Sequence, residues 1–190
     1  MKEILLIGGG GHCKSVIDVI EQEAKYKIVG IIDKKELIGE SVLDYKIIGC
    51  DEDLKDLQTK YPHAIITVGH IKSNETRIKL FNLLKTLGFH MPSIISPLAY
   101  VSKHAFVDEG TIVMHHALLN PHAKIGKNCI INSKALIEHD VVVEENVHIS
   151  TSAIINGGAL IKANTFFGSG AIIKEYSTAC GFIKAGSLVK

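Results

Sequence analysis

The sequence predicts two successive folds: an α/β domain with a small parallel sheet over residues 1–92, and an all-β parallel β-helix over residues 93–190. In the first half, strand-like apolar runs alternate with amphipathic helical stretches, which is the pattern of a βαβ sheet. In the second half, an apolar residue recurs every six positions, a period that neither an α-helix nor a flat strand explains. The boundary is predicted between Pro92 and Pro97, because proline ends helices and restricts the residue before it.

The elements of the first half follow in order along the chain. KEILLIG is a predicted strand, a run of glycines follows it, and HCKSVIDVIEQE is a predicted helix with an apolar face. KIVGIID and AIITVG are further predicted core strands, separated by a polar stretch. NETRIKLFNLLKTLG is amphipathic and ends on Gly88, a residue type that favours helix ends. This order predicts a parallel sheet covered by helices.

The glycine run from Gly8 to Gly11, followed by His12, lies between the first strand and the first helix. Glycine lets a ligand approach the backbone, and a helix N-terminus favours anions, so the loop suits a phosphate or pyrophosphate. A dinucleotide fingerprint would need a third glycine where this chain has Cys13, so a sugar nucleotide is favoured over a nicotinamide cofactor. Asp33 and Gly69 end neighbouring strands and are predicted to lie near the same edge. Tight turns without a ligand remain the alternative.

The second half keeps its six-residue period over fifteen repeats. The predicted inward-facing positions are Val101, Val107, Val113, Leu119, Ile125, Ile131, Ile137, Val143, Ile149, Ile155, Ile161, Phe167, Ile173, Ala179 and Ala185. A small residue follows most of them four positions later. With three sides to a turn, fifteen repeats supply about five coils. Cys129 and Cys180 are expected to face the core, which argues against a cysteine nucleophile.

Two histidines interrupt this pattern at different places on a coil. His139 lies two positions after Ile137, on a predicted corner, and His148 directly precedes Ile149, so it is predicted to face outward from the opposite side. Within one chain the two imidazoles should therefore not meet. Side-by-side packing with threefold symmetry would place a corner of one copy against a face of another, which predicts an active site shared between copies. The alternative is that both are ordinary surface histidines, of which the chain has ten in total.

Composition limits the classes of partner. Lys and Arg number 21 against 20 Asp and Glu, so no broad field attracts nucleic acid or an anionic membrane. No apolar run approaches the roughly 20 residues that a spanning helix needs. Four cysteines without CxxC spacing, and the lack of a leader before the first strand, predict a reducing cytoplasm. Small molecules and further copies of the chain are the expected partners.

Three segments together resemble one protein family. IINSKALIEHDVVVEENVHIS, LLIGGGGHCKSVIDVIE and IIDKK are similar to the bacterial sugar acetyltransferases that include sialic acid O-acetyltransferases and N-acetyltransferases of UDP-4-amino sugars. The resemblance extends from about residue 2 to residue 175, and the EHD and HIS segments are its most specific part. It implies a Rossmann-like N-terminal domain, a left-handed β-helix, a homotrimer and acetyl-CoA as donor.

The resemblance also implies roles for individual residues. His139 matches the general base and Asp140 its neighbouring acid. The acetyl-CoA contacts match His148, Gly157, Gly168 and Ser169. The sugar-nucleotide contacts match Gly10, Gly11, His12, Asp33, Lys34 and Gly69.

These residue types suit acetyl transfer. Neutral histidine, with a reference pKa of about 6.5, can take a proton from a nucleophile at cytoplasmic pH, and an adjacent carboxylate can fix its tautomer. A donor at His148, or a backbone N–H beside it, could stabilise the negative charge on the thioester oxygen. No covalent intermediate and no metal are expected, since the histidines lack ligand-like pairing.

Three functions remain open from the sequence. The first is acetylation of an amino group on a nucleotide-linked sugar, favoured because a free sugar would not need the phosphate-suited loop. The second is O-acetylation of a sialic-acid-type sugar. The third is a non-catalytic trimeric scaffold in glycan biosynthesis, which the sequence suggests because the family's proline- and glycine-rich last segments are not found before Lys190.

Overall fold

The computed structural model describes residues 1–190, and these divide into two compact units. The first unit consists of residues 1–69 and 75–92, and the second of residues 70–74 and 93–190. The sequence predicted one uninterrupted unit up to residue 92. The segment 70–74 packs with the second unit instead.

The first unit is a five-stranded sheet with helices. Its strands are β1 (Lys2–Ile7), β2 (Tyr26–Ile32), β3 (Ser41–Val42), β4 (Tyr45–Gly49) and β5 (Ala64–Ile66). Its helices are α1 (Gly11–Glu23), α2 (Leu54–Lys60) and α3 (Glu75–Thr86), with short 3-10 turns at Lys35–Leu37 and Asp51–Asp53. The sheet order is β3-β4-β2-β1-β5, and all pairs are parallel except β3 with β4.

Helix positions in the first unit follow from the sequence pattern. The apolar side of α1 is buried, and Gly88 has a φ of +83° just beyond α3, as a helix-ending glycine should. Three short elements, β3, β4 and α2, were not predicted; they lie in the stretch between the second and third predicted strands, which the sequence marks only as polar. No helix in the structure combines the length and the apolar character needed to cross a bilayer.

The second unit is a parallel β-helix of two-residue strands, as predicted. Its strands are β6 (Ile94–Ile95), β7 (Tyr100–Val101), β8 (Phe106–Val107), β9 (Ile112–Val113), β10 (Leu118–Leu119), β11 (Lys124–Ile125), β12 (Ile130–Ile131), β13 (Leu136–Ile137), β14 (Val142–Val143), β15 (His148–Ile149), β16 (Ile154–Ile155), β17 (Leu160–Ile161), β18 (Phe166–Phe167), β19 (Ile172–Ile173), β20 (Thr178–Ala179), β21 (Phe182–Ile183) and β22 (Leu188–Val189). They form three parallel sheets, β22-β19-β16-β13-β10-β7, β20-β17-β14-β11-β8 and β21-β18-β15-β12-β9-β6. Five complete coils and two further strands result.

Each strand directs its second residue into the core and its first residue outward. The inward residues and the small residues four positions later form one continuous apolar cluster. On the first sheet, every outward residue is apolar and none is fully buried; we call this surface the apolar face. Its outward residues are Tyr100, Leu118, Leu136, Ile154, Ile172 and Leu188.

The corners are formed by residues in the left-handed backbone conformation. One such residue follows most inward positions by three, and this set comprises Gly110, His116, His122, Asn128, Lys134, Asp140, Asn146, Ser152, Gly158, Asn164, Gly170 and Tyr176. For a residue with a Cβ this conformation costs roughly 1–2 kcal/mol, least for Asn and Asp, and glycine adopts it without that cost. Their recurrence stacks each residue over its equivalent in the next coil.

The six-residue register ends earlier than the sequence predicted. After Ala179 the next inward residue is Ile183, four positions on, and Ala185 is exposed rather than inward. The prediction for Ala185 was therefore wrong, and so was the prediction that Cys180 faces the core, since it is exposed. Gly168 explains how the shortened coil fits: a Cβ there would lie 2.5 Å from the Ala185 nitrogen.

Cysteine reactivity tests this register. Cys13, Cys50 and Cys129 are buried, and burial raises the pKa of the Cys13 thiol to about 11, which keeps it protonated and unreactive at pH 8. We expect native protein treated with iodoacetamide to gain one label, on Cys180, and denatured protein to gain four. Peptide mass spectrometry reads the sites. Labelling of Cys129 as fast as Cys180 would contradict the described core.

Candidate active site

His139 and Asp140 form the corner between the apolar face and the second sheet. They follow β13 and precede β14, and Asp140 has a φ of +60°. The backbone N–H of Asp140 donates to the carbonyl of Pro121 at 3.2 Å, and that of Gly158 donates to the carbonyl of His139 at 2.9 Å. The corner is therefore held by the coils on both sides.

The Asp140 carboxylate fixes the protonation of the His139 ring. Its Oδ2 lies 2.8 Å from His139 Nδ1, and its Oδ1 lies 3.4 Å from Nδ1 of His122. The hydrogen bond from His139, together with that from His122, holds the Asp140 pKa below its usual range, so this group stays an acceptor. Nδ1 of His139 must then carry the hydrogen, which leaves Nε2 of a neutral ring with a free lone pair.

Gly157 makes room for this imidazole. A Cβ at residue 157 would lie 2.8 Å from Cε1 and 2.9 Å from Nε2 of His139, closer than real contacts allow. The ring therefore rests over a glycine of the next coil. The side chain of His139 is 56% exposed, which leaves Nε2 accessible to a substrate. A base with a fixed tautomer and an open lone pair is what proton abstraction from an acceptor requires.

His148 is outward-facing, as predicted, but only 7% exposed. Its Nδ1 lies 2.7 Å from the backbone carbonyl of His70, which can only accept, so Nδ1 carries the hydrogen. Its Nε2 lies 3.2 Å from Nδ2 of Asn132. The orientation of that amide is set because its Oδ1 accepts the Ser133 N–H at 2.8 Å. Nε2 must therefore accept from Asn132, so both ring nitrogens of His148 are engaged.

Residues 70–74, which belong to the second unit, lie over His148 and bury it. The His70 ring meets the His148 ring edge to face at 5.3 Å. Asn74 Nδ2 donates to the carbonyl of Asn146 at 3.3 Å and to Oδ1 of Asn164 at 3.2 Å. Asn146 and Asn164 are successive corner residues joined by their own side-chain hydrogen bond. A row of corner asparagines thus anchors the segment that buries His148.

The predicted residues of the β-helix occupy two separate edges of the apolar face. His139, Asp140 and Gly157 lie at the corner with the second sheet, while Gly168 and Ser169 lie at the corner with the third. Ser169 Oγ is within 2.8 Å of Ser150 Oγ and accepts from Thr151 Oγ1 at 2.9 Å. His148 lies on the third sheet. One chain therefore does not bring His139 and His148 together, in keeping with the predicted separation.

The residues of the first unit that were predicted to bind a nucleotide lie together at the carboxyl ends of neighbouring strands. Gly10 caps α1, and a Cβ at Gly10 or Gly11 would meet nothing within 4 Å, so open space lies over both. At Gly69, which follows β5, a Cβ would lie 3.3 Å from the Cβ of His12. Since β1 lies between β2 and β5, the ends of three adjacent strands surround the loop.

Asp33 braces the glycine loop from the end of β2. Its Oδ2 accepts the Gly9 N–H and its Oδ1 accepts the Lys34 N–H at 2.7 Å. Lys34 is exposed and directly precedes the 3-10 turn. The carboxylate therefore shapes the loop that the sequence analysis assigned to a phosphate, and the predicted contact of Asp33 with a ribose or base stays a prediction.

Sequence reasoning missed two residues beside these groups. Asn132 sets the hydrogen bonding of His148, and its only signal in the sequence is a polar residue directly after an inward aliphatic one. Tyr176 lies against Gly158 at the corner of His139, and its position 18 residues after Gly158 is the signal that could have found this contact. No group of three or more His, Cys, Asp or Glu side chains is arranged to hold a metal ion.

The sequence has recognisable relatives. Residues 3–84 match the family described as PglD N-terminal domain. A UDP-N-acetylbacillosamine N-acetyltransferase from Bacillus subtilis is 28% identical over 114 residues, which are 60% of this chain and 52% of that protein. The chain thus spans about half the length of that curated relative.

Solved structures resemble the whole fold. The acetyltransferase domain of PglB from Neisseria gonorrhoeae matches with a TM-score of 0.91 and 26% identity, over 100% of this chain and 92% of that one. The same domain in complex with acetyl coenzyme A matches with a TM-score of 0.90. A perosamine N-acetyltransferase variant from Caulobacter crescentus, in complex with CoA and GDP-perosamine, matches in fold with a TM-score of 0.72 and 24% identity, over 99% and 93% of the two chains.

Proposed function

We propose that the chain is a PglD-type acetyltransferase that transfers acetyl from acetyl-CoA to the amino group of a nucleotide-linked sugar, because residues 3–84 match the PglD N-terminal domain and the fold matches the acetyltransferase domain of PglB. One observation carries the proposal: the hydrogen bond of 2.8 Å from His139 Nδ1 to Asp140, which leaves Nε2 free over Gly157. The N-acetyltransferase relative from Bacillus subtilis supports nitrogen over oxygen as the acceptor atom.

The proposed step uses His139 as a general base. The acceptor amine attacks the thioester carbon, a C–N bond forms, and the C–S bond breaks to release CoA thiolate. His139 Nε2 takes the proton that the amine loses and can return one to the thiolate. Asp140 stabilises the imidazolium that forms, since its lowered pKa keeps it ionised. A positioned base of this kind contributes about 10²- to 10⁴-fold in rate.

The acyl oxygen needs a hydrogen-bond donor as it gains charge. The sequence assigned this role to His148, but in the arrangement described its ring has no N–H to spare. Asn132 Nδ2 carries a second hydrogen beyond the one that His148 accepts. Asn132, held by His148, is therefore part of the proposed donor site, and direct contact of His148 with acetyl-CoA requires Nε2 to gain a proton and release Asn132.

The glycine loop of the first unit supports a nucleotide-linked acceptor. Gly10 and Gly11 leave the N-terminus of α1 uncovered, where backbone N–H groups and the helix dipole favour a phosphate. His12, Asp33, Lys34 and Gly69 complete the proposed contacts. A cytoplasmic location is part of the proposal.

Copies of the chain are proposed to pack on the apolar face. Six apolar residues stand in one column of this face, and three of them, Tyr100, Ile172 and Leu188, are exposed while the others are partly buried, which is a large patch for a monomer to present. If the edge of this face next to the second sheet contacts the edge next to the third sheet of another copy, the contact is heterologous. The smallest closed ring that a heterologous contact can form has three copies. This packing would bring His139 and Gly157 of one copy towards Asn132, Gly168 and Ser169 of the next. The proposed active site is thus shared within a homotrimer.

Replacing the base tests the proposed reaction. We expect thiol release from acetyl-CoA with one acceptor from a panel of UDP-4-amino sugars and sialic acid, and a loss of about 10²- to 10⁴-fold in His139→Ala. His104→Ala is the matched control, because His104 is an exposed histidine at the same corner. A thiol assay with product mass spectrometry reports the rate and the acetylated atom.

The other outcomes discriminate between functions. Turnover with sialic acid alone would replace the amine acceptor by a hydroxyl. Equal rates for native protein and His139→Ala would contradict the assignment of the base. Sugar-nucleotide binding without turnover on any acceptor would favour a non-catalytic scaffold.

Charges on the apolar face test the assembly. We expect native protein to sediment as a trimer, and Leu136→Asp/Ile154→Asp to sediment as a folded monomer with less than a tenth of the activity, since burial of a charge in the interface is unfavourable. Leu160→Asp, on the second sheet, is the control and should stay trimeric. Sedimentation velocity and circular dichroism measure mass and folding. A fully active native monomer would contradict the shared site.

A further inference from the structure

Tyr176 is an aromatic residue in an unfavourable place. The residue is 78% exposed, and its φ of +55° is uncommon for a bulky residue. It lies at the same corner as His139, two coils further along, where its N–H donates to the carbonyl of Gly157 at 3.0 Å. The conformation directs the ring along the corner.

The Tyr176 ring lies over Gly158, the residue after the glycine on which the His139 ring rests. A Cβ at Gly158 would be 2.4 Å from Cδ1 and Cε1 of Tyr176, just as one at Gly157 would collide with the His139 ring. His139 reaches the dipeptide Gly157–Gly158 from the preceding coil, and Tyr176 reaches it from the following coil. The rings of His139 and Tyr176 therefore lie on either side of the same pair of glycines. Nε2 of His139 is among the ring atoms that lie next to Gly157.

The Tyr176 ring has surface to offer a ligand. One side rests on Gly158, while most of the side chain, which makes no side-chain hydrogen bond in the structure, is open. Aromatic rings supply apolar contact area at low conformational cost, and a tyrosine hydroxyl adds a polar contact. Such a surface suits the C–H groups and hydroxyls of a pyranose ring.

We infer that Tyr176 contacts the sugar ring of the acceptor and contributes to its selection, an inference that rests on the proposed function. The reacting amine must come within about 2.6–3.2 Å of His139 Nε2. The sugar carbon that carries the amine is one bond further, so the sugar ring lies at the glycine pair that Tyr176 borders. Tyr176 is thus a specificity residue rather than a proton-transfer group.

Kinetics of two variants test the inference. Tyr176→Ala should raise KM for the amino-sugar nucleotide at least tenfold, while kcat and KM for acetyl-CoA stay within twofold. Tyr176→Phe should keep KM within about threefold, because the ring surface remains. Phe106→Ala, which removes an exposed aromatic from the second sheet, is the control. A rise in KM for acetyl-CoA alone, or an unchanged acceptor KM, would overturn the inference.

Binding measurements separate this inference from the proposed reaction. By calorimetry, Tyr176→Ala should bind UDP like native protein and bind the UDP-4-amino sugar at least tenfold more weakly. This result would stand even if the native protein turned over no acceptor, which would refute the proposed function alone. Equal affinity of Tyr176→Ala and native protein for the UDP-sugar would overturn the role of Tyr176.

Discussion

The second unit depends on one constraint: a left-handed corner residue every six positions, three corners to a coil. Because each corner repeats in the next coil, side chains 18 positions apart stack, and hydrogen bonds such as that from Gly158 N–H to the His139 carbonyl hold the stack. The same geometry supports the Asn146–Asn164 bond, which anchors residues 70–74. The same stacks of corner residues, 18 positions apart, thus hold the β-helix together and form the candidate site.

The chemistry at the corner of His139 and Asp140 depends on which residues stack there in the next coil. Where His139 stands in one coil, the next coil has Gly157, so the imidazole fits without displacement and Nε2 stays accessible. Where Asp140 stands, the left-handed backbone tolerates it at low cost and brings its carboxylate to Nδ1. A larger residue at either glycine would remove the space that the two rings occupy. Gly157, one coil away, therefore provides the space in which His139 can act as the proposed base.

Most of the fold was predictable because period and burial are local properties of the sequence. The corner position of His139 and the outward position of His148 followed from counting residues. The burial of His148 did not, since it depends on the carbonyl of His70, 78 positions away in the chain. The end of the register was also missed: Cys180 and Gly181 form a shorter corner, and Ala185 continues the count of six without facing the core. The contact of Tyr176 with Gly158 was also missed, although the 18-residue period of the coils places the two residues at the same corner.

The proposed reaction depends on Nε2 of His139 acting as the base for an acceptor amine delivered at Gly157. A crystal structure of the protein with CoA and a UDP-4-amino sugar tests it most directly. We expect the sugar amine about 2.6–3.2 Å from His139 Nε2, with the CoA sulfur beside the same glycine. Both ligands bound elsewhere, with Nε2 of His139 facing only solvent, would contradict it.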